Sequence, residues 1–216
     1  MAAFNIPVVV TDGGSKPSFV DFLQSFSHFT VLNKSGGVWT QAKNGVLTAY
    51  EMGTPFIWYT EPDKHEFFHT LLSIDINNLL LDENSGILLF SRSASAFASF
   101  PSFQQMTETT INNCCEEVIG KAVDYTYGPF IMNRRLAPYL HQVQNDPGWG
   151  WRPYIFGLAH RLNLSIEAKT EDFICPADQR EDDATERIYR MRQLYQNIEG
   201  LVLSTKVNIE APASKT

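Results

Sequence analysis

Long apolar runs are missing from this chain. Its apolar clusters are short, such as Ile87-Leu88-Leu89-Phe90, whereas a membrane-spanning helix needs about 20 consecutive apolar residues. The N-terminus also lacks a charged region followed by a long apolar stretch, which argues against a signal peptide. Cysteine is scarce. Cys114, Cys115 and Cys175 form an odd set with two adjacent members, a poor disulfide framework that fits a reducing compartment. Their spacing matches none of the usual zinc sites. These absences lead us to expect a cytoplasmic protein without a transmembrane segment, its thiols buried or half-buried. Basic charge is in deficit as well: 17 Lys and Arg face 24 Asp and Glu, for a formal charge of −7. That disfavours a nucleic-acid surface but leaves room for a small phosphate-bearing ligand, which needs only local donors.

What is present suffices for one substantial core: 216 residues, 44% of them hydrophobic. Residues 6–10 are apolar and β-branched and end in Thr11-Asp12-Gly13-Gly14-Ser15, the pattern of a buried strand stopping in a glycine turn. Phe19, Phe22, Leu23 and Phe26 then recur at helical spacing, with Ser15 placed to cap that helix and Pro17 tolerated in its first turn. A strand at 29–32, a helix from Val38 to near Gly53, a strand at 56–59 and a helix carrying Phe67, Phe68, Leu71 and Leu72 follow. Three successive strand–helix units predict a parallel sheet with right-handed crossovers.

Further along, the pattern predicts a strand at 86–91, a helix over 102–119 closed by Gly120, and a short extended piece at 129–132. Helices around 135–143 and over 154–162, then a strand at 164–168, come next. Asp182 or Asp183 caps a last helix that carries Ile188, Met191, Tyr195 and Ile198 and stops at Gly200. The expectation is a single α/β domain over residues 1–210, a mostly parallel sheet flanked by helices, and a frayed tail at 211–216.

Three groups of residues can carry chemistry. Asp12-Gly13-Gly14-Ser15 sits where ligands of open α/β sheets collect. Asp12 can accept from a base or ribose, or it can satisfy its own turn. Glu61-Pro62-Asp63 follows another strand, and its two carboxylates suit Mg²⁺ or Mn²⁺ bound to a diphosphate. The same triplet also makes an ordinary acidic helix start. Next to it His65, Glu66 and His69 match the spacing of a zinc helix, with no third ligand evident. Trp149, Trp151 and Arg152 beside a glycine-rich loop suit a sugar and its phosphate, or a buried tryptophan pair. Asp124 and Asp146 are loop carboxylates able to act as a base, and Arg180 can reach a phosphate.

In order along the chain, these pieces resemble the GT-A fold of the inverting family 2 glycosyltransferases, which include dolichol-phosphate mannose synthase and many bacterial sugar transferases. Val9-Val10-Thr11-Asp12-Gly13-Gly14-Ser15 is similar to the strand and aspartate-rich turn that contact the nucleotide. Lys34-Ser35-Gly36-Gly37, Gln41-Ala42 and Gly45 resemble the following loop and helix. Glu61-Pro62-Asp63 corresponds to the Asp-x-Asp metal motif, and Leu88 to Arg92 to a strand ending in Ser-Arg. Asp124 to Gly128 and Met132-Asn133-Arg134 resemble the acceptor side.

The resemblance implies nucleotide contacts at Asp12, Gly13, Gly14, Ser15, Lys34 and Gly37, and Mn²⁺ or Mg²⁺ at Glu61 and Asp63. It implies sugar, phosphate or acceptor contacts at Arg92, Trp149, Trp151, Arg152 and Arg180. The activity would be transfer of a sugar from a nucleoside-diphosphate sugar to a hydroxyl, with inversion. The chain departs from the pattern in several places. It starts at what corresponds to the family's second strand, so an exposed sheet edge there would offer a homodimer contact. Pro17 stands for an aspartate and Glu61 for the first metal aspartate. The family's acidic general base is not evident near Trp149 to Arg152, which leaves Asp124 or Asp146 as the base. The alternative is a catalytically inactive relative that binds a nucleotide or sugar, or serves as a scaffold.

Overall fold

A computed structural model describes residues 6–33, 36–71, 79 and 81–210. The candidate Lys34 and the tail expected at 211–216 lie outside the described residues. Strand β1 (Val8–Asp12) pairs in parallel with β2 (Phe29–Asn33), from Val8 opposite Phe29 to Asp12 opposite Asn33. Helix α1 (Pro17–Gln24) makes the crossover. Its N-cap is Lys16 and not the expected Ser15, because the Ser15 amide is held by the Asp12 carboxylate and Ser15 stays in the turn. Helix α2 (Val38–Glu51) turns Trp39, Ala42 and Val46 inward, and its Gly45 lets it lie close against Thr11 of β1.

The second sheet is built from β3 (Phe56–Tyr59), β4 (Ser85–Arg92), β5 (Phe130–Asn133) and β6 (Ser165–Glu171), in the order β3-β5-β4-β6. The expected α/β architecture with helices flanking the sheets stands, and the mostly parallel sheet is met only in part. The third strand does not join β1 and β2; it pairs with β5, which runs antiparallel to both β3 and β4. The β4–β6 pair is parallel. All four residues of β5 are buried, so an apolar run this short carries no sign of direction or partner. One consequence positions everything below. Strands β3, β4 and β6 point the same way and end at one edge of the sheet, and that is the edge where β5 begins.

Alternation along the strands divides the interior in two. Ile87, Leu89, Phe130 and Met132 face the main core, which also takes in Val46 of α2, Ile111, Cys115, Ile155 and Phe156. Leu88, Phe90 and Ile131 face a smaller aromatic cluster with Phe67, Tyr127 and Phe173. After the short α4 (Ala94–Phe97), α5 (Ser102–Ile119) ends at Gly120, whose φ of 80° is the left-handed cap that glycine adopts without strain. Helix α6 (Trp151–Arg161) is buried from Trp151 to Ala159, as befits a helix that is apolar nearly all round.

Helix α7 (Ala184–Ser204) starts at Asp183, whose carboxylate accepts from the Glu186 amide. It runs past Gly200, the expected stop, because that glycine is a packing position against Gly150. Ile188, Met191 and Tyr195, expected to mark its apolar face, are exposed, while Asn197, Gly200, Leu201 and Ser204 are the buried ones. Among the described residues no helix is long and apolar enough to cross a membrane, and the three cysteines are unpaired thiols.

Candidate functional site

The shared sheet edge collects the chain segments that follow β3, β4 and β6 and the one that precedes β5. They enclose a cleft of about 350 Å³. Glu61, Asp63 and Lys64 come from the turn after β3, Arg92 from the last position of β4, and Thr126 and Tyr127 from the approach to β5. Trp149 and Arg152 reach it from the start of α6, and the first turns of α7 contribute Glu186, Tyr189 and Arg190. Of the sequence candidates, Glu61, Asp63, Arg92, Trp149 and Arg152 therefore meet in one place. Residues far apart in the chain do so because strand direction puts their loops on one edge.

Glu61 is largely buried. Its Oε1 lies 3.4 Å from Arg152 Nη1, a long ion pair, and both groups occupy the space that a Cβ on residue 128 would need, which only Gly128 leaves free. The Tyr59 phenol below is pushed well up, first by burial and then by the Glu61 charge. Asp63 is more than half exposed and stands 3.6 Å from Lys64 Nζ. Arg152 lies over the Trp149 ring at 4.9 Å, and the Trp149 indole N–H donates to Tyr189 Oη at 2.8 Å, which ties α7 to the cleft.

A divalent cation is the group to test against this wall. Two carboxylates supply the hard oxygens that Mg²⁺ or Mn²⁺ takes from a protein when phosphates and water complete its shell, so the donor chemistry fits. Among the described residues no group of three or more His, Cys, Asp or Glu is assembled for a metal. His65 and His69 are exposed on α3 (His65–Leu71), without a third ligand among those residues.

Arg92 and Asp124 form the most heavily bonded pair. Arg92 Nε donates to Asp124 Oδ2 at 2.7 Å and Nη2 to Oδ1 at 3.1 Å, while Nη2 also reaches Glu108 at 2.7 Å. The remaining acceptor sites of Asp124 take the Arg92 amide, the Thr126 amide and hydroxyl, and Asn112. Rings of Phe97 and Phe100 lie against the guanidinium at 4.6 and 4.4 Å. Burial alone would raise the Asp124 pKa, but the Arg92 charge and these hydrogen bonds bring it down to about 2. A carboxylate so engaged is a poor proton acceptor, and Arg92 has its charge already matched by Asp124 and Glu108. Sequence reasoning had set both of them facing a substrate; the geometry makes them an internal brace of the wall.

Several other candidates lie elsewhere. Asp12 accepts from the amides of Gly14 and Ser15 at 3.1 and 3.0 Å, the self-satisfied turn. The hydrogen bonds from Ser15 hold its carboxyl below the usual range. With Gly13, Gly14, Ser15 and Asn33 it borders an open depression of its own. Asp146 accepts from Gly148 N at 2.7 Å, near Gly37 at the start of α2, and lines a third depression with Tyr154 and Lys206. Trp151 is fully buried against Tyr59 and Phe130, so the tryptophan pair splits into one core and one cleft residue. Arg180 donates to the Cys175 carbonyl.

The cleft also holds residues that sequence reasoning passed over, among them Lys64, Glu108, Tyr189 and Arg190. Lys64 adjoins the acidic triplet and was within reach of it. The α7 residues look like an ordinary solvated helix face and carry no such signal.

No protein-family model matches the sequence, and no curated protein does at a significant level. Solved structures do match. Glucosyl-3-phosphoglycerate synthase from Mycobacterium tuberculosis, in complex with uridine diphosphate, aligns with a TM-score of 0.57 at 14% identity, over 93% of this chain and 69% of that one. The same enzyme with Mn²⁺, UDP-glucose and phosphoglyceric acid gives 0.58 at 13% identity, over the same shares. Its complex with Mn²⁺, UDP and glucosyl-3-phosphoglycerate gives 0.56 at 14%. The chain shares the α/β fold of that enzyme and is GT-A-like in architecture.

Proposed function

We propose that the cleft binds a nucleoside-diphosphate sugar and transfers its sugar to an acceptor hydroxyl, with inversion at the anomeric carbon. The observation that carries this reading is the placement of Glu61 and Asp63 at the end of β3, in one cleft with Arg152 and Trp149. The neighbouring enzyme binds UDP-glucose and Mn²⁺ on the same fold, which supports it. In this reading Glu61 and Asp63 would hold Mn²⁺ or Mg²⁺, which would supply positive charge beside the leaving diphosphate. Arg152 binds phosphate oxygens from the other side, and Trp149 gives the sugar a flat apolar face. The turn from Asp12 to Ser15 and Gly37, expected to take the nucleoside, lie outside the cleft lining, so this reading assigns the cleft the diphosphate and the sugar. Neither expected base faces the cleft: Asp124 is fully engaged and Asp146 lines another depression.

That last observation favours a second reading, a protein that binds the nucleotide or sugar without turnover. Isothermal titration with UDP, GDP and their sugar conjugates, with and without Mn²⁺, on the protein and on Asp63→Ala, tests the binding that both readings share. Metal-dependent binding lost in the variant is the expected result. Release of UDP from UDP-glucose in the presence of candidate acceptors then separates transferase from binder. No binding by folded protein under any of these conditions would end both.

A further inference from the structure

Helix α7 carries a second apolar face that points away from the protein. Ile188 is 56% exposed, Met191 50%, Tyr195 64% and Val202 46%. Ile188, Tyr195 and Val202 recur every seven residues, and seven residues of an α-helix fall only about 20° short of two full turns. Met191, three residues after Ile188, lies about 60° to one side. The four side chains therefore form one narrow stripe about 21 Å long. Asn197, Leu201 and Ser204, buried against the domain, occupy the opposite side of the helix. Large apolar groups lined up in solvent mark a surface for another protein.

The charges beside the stripe say what covers it. Arg192 and Glu199 are exposed along its other border, about 20–40° from Ile188. Arg187 and Arg190 of the same helix are paired with Asp182 and Glu186, but Arg192 and Glu199 have no ion pair among the described residues. A second copy of α7 laid antiparallel on the first, with Tyr195 at the twofold axis, brings Ile188 over Val202 of the second copy. Each Arg192 then stands on the same side of the seam as Glu199 of the other copy, within about 1.5 Å along the axis. The symmetry makes that opposite-charge contact twice. A parallel pairing would instead set Arg192 beside Arg187 of the other copy, like charge on like.

We propose that this face of α7 is a self-association surface, on which two copies of the chain pair their α7 helices antiparallel about Tyr195. The contact differs from the sheet edge beside β1 at which the sequence suggested a homodimer. Glu186, Arg190 and Gln193, which line the cleft, lie about 140–200° around the helix from Ile188, so the pairing leaves the cleft open.

The test is the mass of the full chain in solution, by light scattering after size exclusion and by sedimentation equilibrium from micromolar concentration upward. Expected is a dimer whose dissociation constant rises about tenfold or more in Tyr195→Glu and in Ile188→Glu. Both variants should keep the urea midpoint of the parent, because both side chains are already exposed. The charges report the orientation. Arg192→Glu and Glu199→Arg should each weaken the dimer, and the double variant should recover it. The two single variants mixed together should form a heterodimer tighter than either homodimer.

A monomer at every concentration would overturn the proposal and leave the face to a different protein. A dimer unmoved by folded Tyr195→Glu would overturn it by placing the contact elsewhere. Charge variants that show no recovery, in the double variant or in the mixture, would overturn the antiparallel pairing.

Discussion

Gly200 of α7 lies so close to Gly150 that a methyl group added to it would come 1.8 Å from the Gly150 carbonyl oxygen. The contact is backbone on backbone, so no side-chain rotation can relieve it. Gly150 stands between Trp149 and Arg152, and α7 brings Tyr189 to the Trp149 indole. Helix position and cleft shape are thus linked through two glycines. Gly200→Ala gains about 1 kcal/mol of helix propensity but forces α7 away from the turn, at a cost of about 1–3 kcal/mol or more. The variant should show a lower urea midpoint together with weaker binding of any cleft ligand. A midpoint at or above that of the parent would mean that α7 does not seat as described.

The Arg92–Asp124 pair predicts a pH dependence. Asp124 has its pKa brought from an ordinary 3.8 down to about 2. A carboxyl held below its unfolded value stabilises the fold at neutral pH, and that contribution fades as pH falls from about 4 toward about 2. Its size is about 2 kcal/mol. Unfolding free energy measured between pH 2 and 7 should therefore drop on the acid side, and Asp124→Asn should both lower stability at pH 7 and flatten that drop. If Asp124→Asn stays folded and keeps full cleft binding, the brace is structural as argued. A selective loss of turnover with stability intact would return Asp124 to the role of base.

How much of this was legible in the residues depends on the kind of signal. Strands with dense apolar runs, such as Ile87 to Phe90, and helices with clear stops, such as the one closed by Gly120, stand out from composition and spacing. The direction of β5 does not, because four buried residues have no polar face to set register. Gly200 illustrates another limit: a glycine near the end of a helical pattern reads as a stop unless its packing partner is known. In the site, the acidic triplet and the Trp149–Arg152 segment were visible as local patterns. The engagement of Asp124 was not, since it depends on which side chains the fold brings together from distant segments.

The cysteines give a simple check on the packing of α5. Cys115 is 1% exposed, and burial, followed by the nearby Cys114, pushes its thiol up to about 12. Cys175 is also buried, while Cys114 is half-buried. Thiolate is the reactive form, so a thiol-reactive reagent at pH 8 should modify Cys114 in the folded protein well before the other two. Mass spectrometry of the modified peptides reads this out, with all three reacting after denaturation. Early labelling of Cys115 in the native state would contradict the burial of that face of α5.

Gly128 offers the sharpest probe of the cleft itself. Its φ is 130°, which L-residues rarely adopt, and a Cβ there would stand 2.3 Å from Glu61 Oε2 and 3.2 Å from Arg152 Nη1. Gly128→Ala thus acts on two levels. The backbone strain costs about 1 kcal/mol or more, a moderate loss for a fold of this size. The methyl group also pushes Glu61 off its place, and Glu61 has little room to move because it is largely buried beside Arg152. Metal-dependent binding of UDP should therefore fall far more than stability does. Titration with Mn²⁺ and UDP alongside urea denaturation separates the two effects. Equal binding by the variant would show that Glu61 takes no part in holding the ion, and Asp63 would then have to do so without it.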